Sequence, residues 1–370
     1  MNNYPLSRFF LLFVLVLPLS VEADTYTVTA TGDEKNPADS EETLRDAISR
    51  ANAYPGDDVI VFDSALAGKE IQTSGGFIIS DNVKIDGSDA PSLQIALKSE
   101  DTLFMVESSI NLTASDLILK ATNNGSSTFG IDACGNTSLS ALRFSGFESA
   151  VTGCPSLSSL SIENSGFADN EYALNKGDST SNTSMELINN RMLSSGVKVV
   201  SEGSPIDLGI TELNMTGSDA TIKLEGNLSA SLKKSSFHNL NDFSISTQPH
   251  GFTPQITIKN STFSNITNDA IKLMAFRYSD VVLAHTTITE NTMNDVHEWN
   301  DADLISTEKG SANIDHSIIS NNTYNGDGFR SSNSSWTVTY SVIPKINESG
   351  TSRDVSLDEF SILYQGVEVP

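Results

Sequence analysis

The chain has 370 residues, of which 38% are apolar, and its formal net charge is -25 at pH 7. That apolar content over this length is enough to form a continuous core, which excludes an intrinsically disordered chain. The negative charge excludes nucleic acid as the expected partner, because phosphate binding needs a basic surface. The composition instead favours a soluble protein that meets divalent cations or cationic surfaces.

Residues 1–23 have the pattern of a signal peptide. Arg8 precedes the apolar run FFLLFVLVLPLS, and Val21 and Ala23 satisfy the small-residue rule for cleavage after Ala23. We expect no transmembrane segment in the mature chain, because no later run approaches the roughly 20 apolar residues that a spanning helix needs. The predicted location is extracellular or on the outer cell surface, with the periplasm as the alternative.

The stretch EETLRDAISRANAYPGDDVIVF, beginning at Glu41, predicts a single short helix followed by a strand. Its apolar residues recur at helical spacing, and Ser40 or Asp39 is the expected N-cap. The apolar stripe consists of Leu44, Ala47, Ile48 and Ala51. Residues 24–62 are therefore predicted to form an N-terminal strand and a capping helix.

The remainder of the chain repeats a six-residue pattern at intervals of about 20 to 30 residues, which is typical of a solenoid. Each repeat begins with an apolar residue and has a second large apolar residue five places later. The repeats are LRFSGF at Leu142, IENSGF at Ile162, LINNRM at Leu187, LKKSSF at Leu232, IKNSTF at Ile258, LAHTTI at Leu283, IDHSII at Ile314 and VTYSVI at Val338.

An odd offset between two inward residues requires a bend, because side chains in one straight strand alternate between faces. Asn164, Asn189 and Asn260 occupy the place of this bend, and asparagine tolerates the left-handed conformation. A third apolar group follows in each repeat, as in YAL at Tyr172. Three short strands per repeat describe one turn of a parallel β-helix.

We therefore predict an all-β, right-handed parallel β-helix of about ten rungs over residues 63–350, with residues 351–370 as a C-terminal tail or cap. Stacked rungs join their inward residues into one core, whereas an open end exposes a sheet edge. The N-terminal helix is expected to shield the edge of the first rung.

The two cysteines are expected to form a disulfide on adjacent rungs. Cys134 lies eight residues before Leu142, and Cys154 lies eight residues before Ile162. Stacked rungs place such residues within the usual Cα separation of a disulfide, about 4.4 to 6.8 Å. Export to an oxidising compartment favours the bond over two buried thiols.

The segments TYTVTATGD and EETLRDAISRANAYPGDDVIVFD resemble the N-terminal signature of bacterial exported β-helix proteins of the CSLREA-domain type, which are similar to polymorphic outer-membrane proteins. Residues 42–47, ETLRDA, occupy the position of the CSLREA motif that gives the family its name, with Glu42 in place of the leading cysteine. By motif the resemblance covers about residues 25–90. It implies an exported, surface or extracellular role more strongly than any reaction.

A basic strip is expected on the third strand of each repeat. Lys198, Lys223 and Lys272 occupy outward places there, with Arg277 shortly after. The strip is a candidate site for an acidic glycan. The alternatives are solvated lysines that discourage edge pairing and, less favoured, a lysine that acts as a catalytic base.

The long interval between Leu283 and Ile314 contains the insertion NDVHEWNDADLISTEKG. Insertions in solenoids project from one side and often bind ligands. An indole beside carboxylates suits sugar recognition, and the alternative is that the indole covers the rod. The candidate residues of this insertion are His297, Trp299, Asp301 and Asp303.

His285 and His316 occupy the bend place of neighbouring repeats, so they should stack. Two histidines without a third ligand do not define a metal site. No cofactor motif is present, and calcium at turn carboxylates is the only cofactor that the sequence leaves open. The offsets of these carboxylates differ between repeats, so their convergence on one ion is not implied, and ordinary Asx turns are the favoured interpretation.

Three functions are consistent with this sequence. The leading prediction is a non-enzymatic surface or extracellular protein for adhesion or polysaccharide contact, because no acid/base set is recognisable. The first alternative is a polysaccharide lyase or glycoside hydrolase that acts on an acidic glycan, with unknown catalytic residues. The second alternative is a structural spacer.

Overall fold

The chain forms a parallel β-helix in the computed structural model, which confirms the predicted fold. The structure describes residues 23–34, 41–122, 127–249, 251–269, 272–294, 304–324, 329–332, 334–344, 346–349, 355–357 and 362–364. Residues 1–22 of the predicted signal peptide lie outside these residues. All strand pairs in the described part are parallel, and they form three rows that run along the rod.

Row 1 begins each turn of the solenoid. Its strands are Thr25–Val28, Asp58–Phe62, Val83–Asp86, Leu112–Ser115, Thr137–Ser140, Ser159–Glu163, Thr183–Ile188, the second halves of Gly196–Thr211 and Thr221–Lys233, Gln255–Lys259, Asp280–Ala284, Ser311–Asp315, Ser335–Thr339 and Val355–Leu357.

Row 2 follows row 1 in each turn. Its strands are Glu70–Thr73, Gln94–Leu97, Ile118–Ala121, Arg143–Ser145, Gly166–Ala168, Arg191–Leu193, Asn214–Ser218, Ser236–Asn241, Thr262–Asp269, Thr287–Thr289, Ile318–Ser320, Val342–Pro344 and Ile362–Tyr364. The short strands Thr292–Asn294 and Thr323–Tyr324 continue the second half of Thr262–Asp269.

Row 3 closes each turn. Its strands are Phe77–Ile79, Thr102–Val106, Phe129–Ala133, Ser149–Gly153, Tyr172–Lys176, the first halves of Gly196–Thr211 and Thr221–Lys233, Ser244–Gln248, Met274–Arg277, Ile305–Glu308, Phe329–Ser332 and Ile346–Ser349. In the described residues each row holds twelve to fourteen strands, in line with the prediction of about ten rungs.

The core runs the length of the solenoid because one residue of each repeat faces inward at the same place. The inward positions of row 2 are in register and buried at Phe144, Phe167, Met192, Met215, Phe237, Phe263, Ile288 and Ile319. The rings of Phe237 and Phe263 stack with centroids 4.5 Å apart. Such contacts bury each rung against its neighbours.

The first predicted repeat was assigned three residues too late. Leu139, not Leu142, pairs with Ile162 in row 1, and Phe144, not Phe147, pairs with Phe167 in row 2. The reason is that LRFSGF imitates IENSGF by composition. The true repeat is LSALRF, whose bend is at an alanine.

The bend between rows 1 and 2 is left-handed on ten successive turns, with φ between 46° and 60°. At nine of these bends, those from Asp116 to His316, the backbone N–H donates to a carbonyl of the next turn, as Asn189 does to Thr211. The corner is therefore part of the hydrogen-bond ladder. The bend residues are Asp116, Ala141, Asn164, Asn189, Glu212, Lys234, Asn260, His285, His316 and Tyr340. The predicted left-handed bend is confirmed.

The helix Leu44–Ala51 packs on the strands Thr25–Val28, Asp58–Phe62 and Phe77–Ile79. Its N-cap is Thr43, whose side chain accepts a hydrogen bond from the Asp46 N–H, so the predicted caps Ser40 and Asp39 are wrong. A 3-10 helix, Ser64–Leu66, links rows 1 and 2 in the second turn.

The helix covers the free edge of the first row 3 strand through hydrogen bonds as well as packing. The Asn52 amide donates to the carbonyl of Ile78 at 2.7 Å and accepts from the N–H of Ser80 at 2.9 Å. An uncovered sheet edge would expose these backbone groups for pairing with other chains. The isolated helix therefore serves as a lid.

Candidate functional site

The outer face of row 3 carries the basic residues that the sequence analysis selected. One outward column runs in register through Asn175, Lys198, Lys223, Ser246, Ala275 and Ser306. Three successive small side chains follow the two lysines, which leaves the surface of the sheet uncovered at this place. The large side chains around the gap then form a cleft.

This cleft has a volume of about 450 Å³. It is lined by Ser246, Thr247, Gln248, Lys272, Ala275, Phe276, Arg277, Ser306, Thr307 and Glu308. Two of the predicted residues, Lys272 and Arg277, therefore lie together although only the second belongs to a strand. We refer to this place as the row 3 cleft.

Arg277 is held at the rim of the row 3 cleft. Its Nε atom donates to the Glu308 carboxylate at 2.9 Å, and the guanidinium side chain is 60% exposed. The Arg277 N–H donates to Oγ1 of Thr247 at 2.9 Å, and that hydroxyl lies 2.6 Å from Oγ of Ser279. Arg277 thus presents its remaining donors to solvent from a fixed backbone.

Lys198 and Lys223 lie outside the row 3 cleft but on the same face. They are register partners on adjacent turns, and Lys198 approaches the Tyr172 ring at 5.9 Å from its centroid. Lys223 has no ion-pair partner in the described part of the chain. Lys272 does not continue their column, because Ala275 occupies its place.

Glu308 is the cleft residue that the sequence analysis missed. It pairs with Arg277 in the register of row 3 and is the only carboxylate among the described lining residues. Alignment of the EKG segment, which begins at Glu308, with the segment of the preceding turn that begins at Arg277 would have identified this residue. A two-carboxylate glycosidase needs a second acid facing the first, and the described lining does not supply one.

The predicted residues of the long insertion, His297, Trp299, Asp301 and Asp303, lie outside the described residues. Their role in a sugar-binding loop therefore stays a prediction. The other tryptophan, Trp336, is buried in row 1, and its Nε1–H donates to Oγ1 of Thr307 at 2.8 Å.

The predicted disulfide between Cys134 and Cys154 is present, with a Cα separation of 5.0 Å. Both cysteines follow row 3 strands whose last residues, Ala133 and Gly153, are register partners. The predicted bond is confirmed, but the alignment through Leu142 that led to it was not correct. The segment from Cys134 to the true row 1 residue Leu139 is three residues shorter than the segment from Cys154 to Ile162. This difference equals the three-residue error in the alignment, so the two cysteines still appeared equivalent.

The predicted histidine stack is also present. The rings of His285 and His316 are nearly parallel with centroids 5.0 Å apart, and the Tyr340 ring extends the stack at 4.7 Å. Nδ1 of His316 lies 2.8 Å from Asp315. A hydrogen bond from Thr339, together with His316, lowers the pKa of the Asp315 carboxyl, against the effect of its burial.

No cluster of three or more metal-ligating side chains occurs within the described ranges. Among the turn carboxylates, Asp169 and Asp242 lie at separate left-handed bends with φ of 55° and 53°. Those two residues act as turn residues, which tolerate this conformation. Calcium at the turn carboxylates stays the less favoured alternative, and it has no site among the described residues.

No family model and no curated protein matches the sequence. The chain is similar in fold to the catalytic unit of an α-1,3-glucanase from Streptomyces thermodiastaticus, with 12% identity, a TM-score of 0.49, and coverage of 86% of this chain and 65% of that one. It therefore spans less than two thirds of that protein.

The chain is also similar to two further solved structures. The Azotobacter vinelandii mannuronan C-5 epimerase A-module has 12% identity and a TM-score of 0.32, and covers 87% of this chain and 94% of its own. A pectate lyase has 12% identity and a TM-score of 0.27, with coverage of 82% and 79%. These likenesses concern the fold alone. Membership of the CSLREA-domain type therefore stays a prediction.

No helix in the described residues is long and apolar enough to span a bilayer.

Proposed function

We propose that this protein is an exported, non-enzymatic β-helix protein that contacts acidic polysaccharide through the row 3 cleft. The observation that carries the proposal is the convergence of Lys272 and Arg277 on one open cleft of a chain with a net charge of -25. A guanidinium with free donors matches a carboxylate in two-point geometry.

The floor of the row 3 cleft supports the same ligand. Ser246 and Ser306 place hydroxyl groups beside Ala275, so the floor offers polar groups for sugar hydroxyls and an apolar place for sugar C–H groups. Lys198 and Lys223 extend the positive surface along the rod. A long anionic polysaccharide that follows the rod would contact these lysines one after the other.

The alternative is a polysaccharide lyase that acts on an acidic glycan. Such an enzyme needs a base for the proton next to the uronate carboxylate and a cation for the developing charge. Lys272 and Arg277 are the pair that could take these roles. The non-enzymatic function is favoured because Glu308 already engages Nε of Arg277, which weakens the charge that Arg277 could offer to a developing anion but leaves its other donors for a resting carboxylate.

The test is co-sedimentation of the purified protein with insoluble carboxylated and neutral polysaccharides, together with ultraviolet absorbance for unsaturated products. We expect retention on the carboxylated polymer only, no new absorbance, and a weaker retention of Arg277→Ala. Arg50→Ala, on the capping helix, is the charge-matched control. Growing absorbance that disappears in Lys272→Ala would establish the lyase instead, and equal retention of Arg277→Ala would refute the proposal.

A further inference from the structure

The outer face of row 2 carries a second basic arrangement that does not involve the row 3 cleft. One outward column contains Ile118, Arg143, Gly166, Arg191 and Asn214 in register on five successive turns. The two arginines are therefore separated by a single glycine. At the usual strand spacing their Cα atoms lie about 10 Å apart along the rod.

Gly166 keeps the space between the arginines open. A Cβ built on Gly166 would meet no atom within 4 Å, and the residue is not in the left-handed region, so nothing in the backbone requires glycine. The resulting groove has a volume of about 760 Å³. Its second outward column consists of Ser145, Ala168 and Leu193, and Leu193 is 41% exposed.

The two guanidinium groups have no ion-pair or hydrogen-bond partner in the described residues. This differs from Arg45, Arg50 and Arg277, which each pair with a carboxylate. Two unpaired arginines this close together are unexpected on so acidic a chain, where carboxylates are abundant. If these arginines served only to balance the acidic surface, each would be expected to form an ion pair with a carboxylate.

The neighbouring charges do not neutralise this pair. Asp116 lines the groove at its N-terminal end without forming an ion pair with Arg143. Lys120, on the second outward column, is already paired with Glu70. The positive surface is therefore confined to the two arginines and the glycine between them, with Asp116 as the only lining carboxylate in the described residues.

We propose that this groove binds a linear, carboxylate-bearing polysaccharide that lies along the rod. Each guanidinium can take one carboxylate in two-point geometry, and the two sites match anionic groups spaced along one chain. The apolar surface of Ala168 and Leu193 suits the C–H face of a sugar ring.

The site lies on a different row from the row 3 cleft, so it is tested in the Arg277→Ala background, in which the cleft is impaired. The probe is a galacturonate hexamer, measured by isothermal titration calorimetry at low salt. We expect binding that Arg143→Ala with Arg191→Ala weakens at least tenfold. Gly166→Trp fills the groove without backbone strain and should have the same effect, whereas Arg50→Ala should have none.

Three outcomes overturn the assignment. The first is undetectable binding of the hexamer in the Arg277→Ala background. The second is equal affinity of the double arginine variant, and the third is equal or tighter binding of a neutral glucose hexamer or a single-stranded oligonucleotide. Failure of the row 3 cleft appears separately, as unchanged affinity when Arg277 is replaced in a protein that already carries Arg143→Ala and Arg191→Ala.

Discussion

Nδ2 of Asn189 donates to Oδ1 of Asn164 at 2.7 Å, and both residues have φ of 52° at the same bend of adjacent turns. The pair shows how the corner between rows 1 and 2 is stabilised. Backbone N–H groups of the corner join successive turns, and side-chain amides add a second ladder outside it. The corner is therefore sensitive to the residue that occupies it.

Ala141 occupies this left-handed corner without a side chain that favours it. The left-handed conformation costs a residue with a Cβ roughly 1–2 kcal/mol, less for asparagine. We expect Ala141→Asn to raise the free energy of unfolding by about 0.5 kcal/mol, and Asn189→Ala to lower it by about 1 kcal/mol. Urea denaturation of both variants checks this, and a loss of stability in Ala141→Asn would contradict it.

Arg45 connects the capping helix to the first turns of the solenoid. Its guanidinium bonds to Asp33 at 2.8 Å and to the carbonyls of Gly75 and Gly76 at 3.1 Å, and it lies 4.5 Å from the Phe77 ring centroid. Lysine cannot reproduce this planar set of donors. We expect Arg45→Lys to destabilise the protein by about 2 kcal/mol in urea denaturation.

The control for Arg45 is Arg50→Lys on the same helix. Arg50 is 58% exposed and makes one ion pair with Glu42, so its replacement should change stability by less than about 0.5 kcal/mol. Equal effects of the two replacements would show that the helix does not depend on the Arg45 contacts.

Lys176 is buried at an inward position of row 3, in register with Val199. Its ammonium donates to the carbonyls of Gly177 and Asp178 at 2.8 and 2.6 Å. A Cβ on Gly153 in the neighbouring turn would collide with the lysine side chain, so this glycine makes room for it. Burial lowers the pKa of Lys176 to about 8, although Asp178 acts in the opposite direction.

Between pH 8 and 10.5 the unfolded chain therefore binds more protons at Lys176 than the folded chain does. The free energy of unfolding should rise with pH across this window, by up to about 3 kcal/mol from this residue. In Lys176→Met this contribution is absent. Denaturation of both proteins at pH 7, 8.5 and 10 checks it, and parallel pH profiles would contradict the buried, depressed lysine.

The disulfide closes a chain segment of 20 residues between adjacent turns. Removal of such a cross-link costs about 3 kcal/mol in the chain-entropy description. We expect the double variant Cys134→Ala, Cys154→Ala to unfold at lower urea concentration than the oxidised protein. Wild-type protein treated with reductant should coincide with the variant, and an unchanged midpoint in both would show that the bond does not stabilise the solenoid.

Glu308 competes with any anionic ligand for Arg277. Glu308→Gln removes this competition and leaves a side chain of the same shape. We expect the variant to bind acidic polysaccharide about three- to tenfold more tightly, which corresponds to about 1 kcal/mol for a partly exposed ion pair. Titration with a galacturonate hexamer measures the change, and weaker binding would place Glu308 in the binding surface itself.

The sequence by itself determined the solenoid. Apolar residues recur at a fixed place in every repeat because each turn must bury the same positions, and this requirement is local enough to be read from single repeats. The left-handed asparagines and the stacked histidines followed from the same regularity, whereas the capping helix followed from its own apolar residues at helical spacing. The left-handed bend and the histidine stack each occupy one place in the turn, and that place is equivalent in the next turn.

Only the tertiary structure decided which outward residues meet. The slip of three residues at Leu142 left the inward pattern plausible but moved Arg143 away from the column of Gly166 and Arg191. Outward side chains carry no apolar signal, so their register depends on turn lengths that vary between repeats. The convergence of Lys272 on Arg277 and the open groove at Gly166 arise from that stacking, and no single repeat contains them.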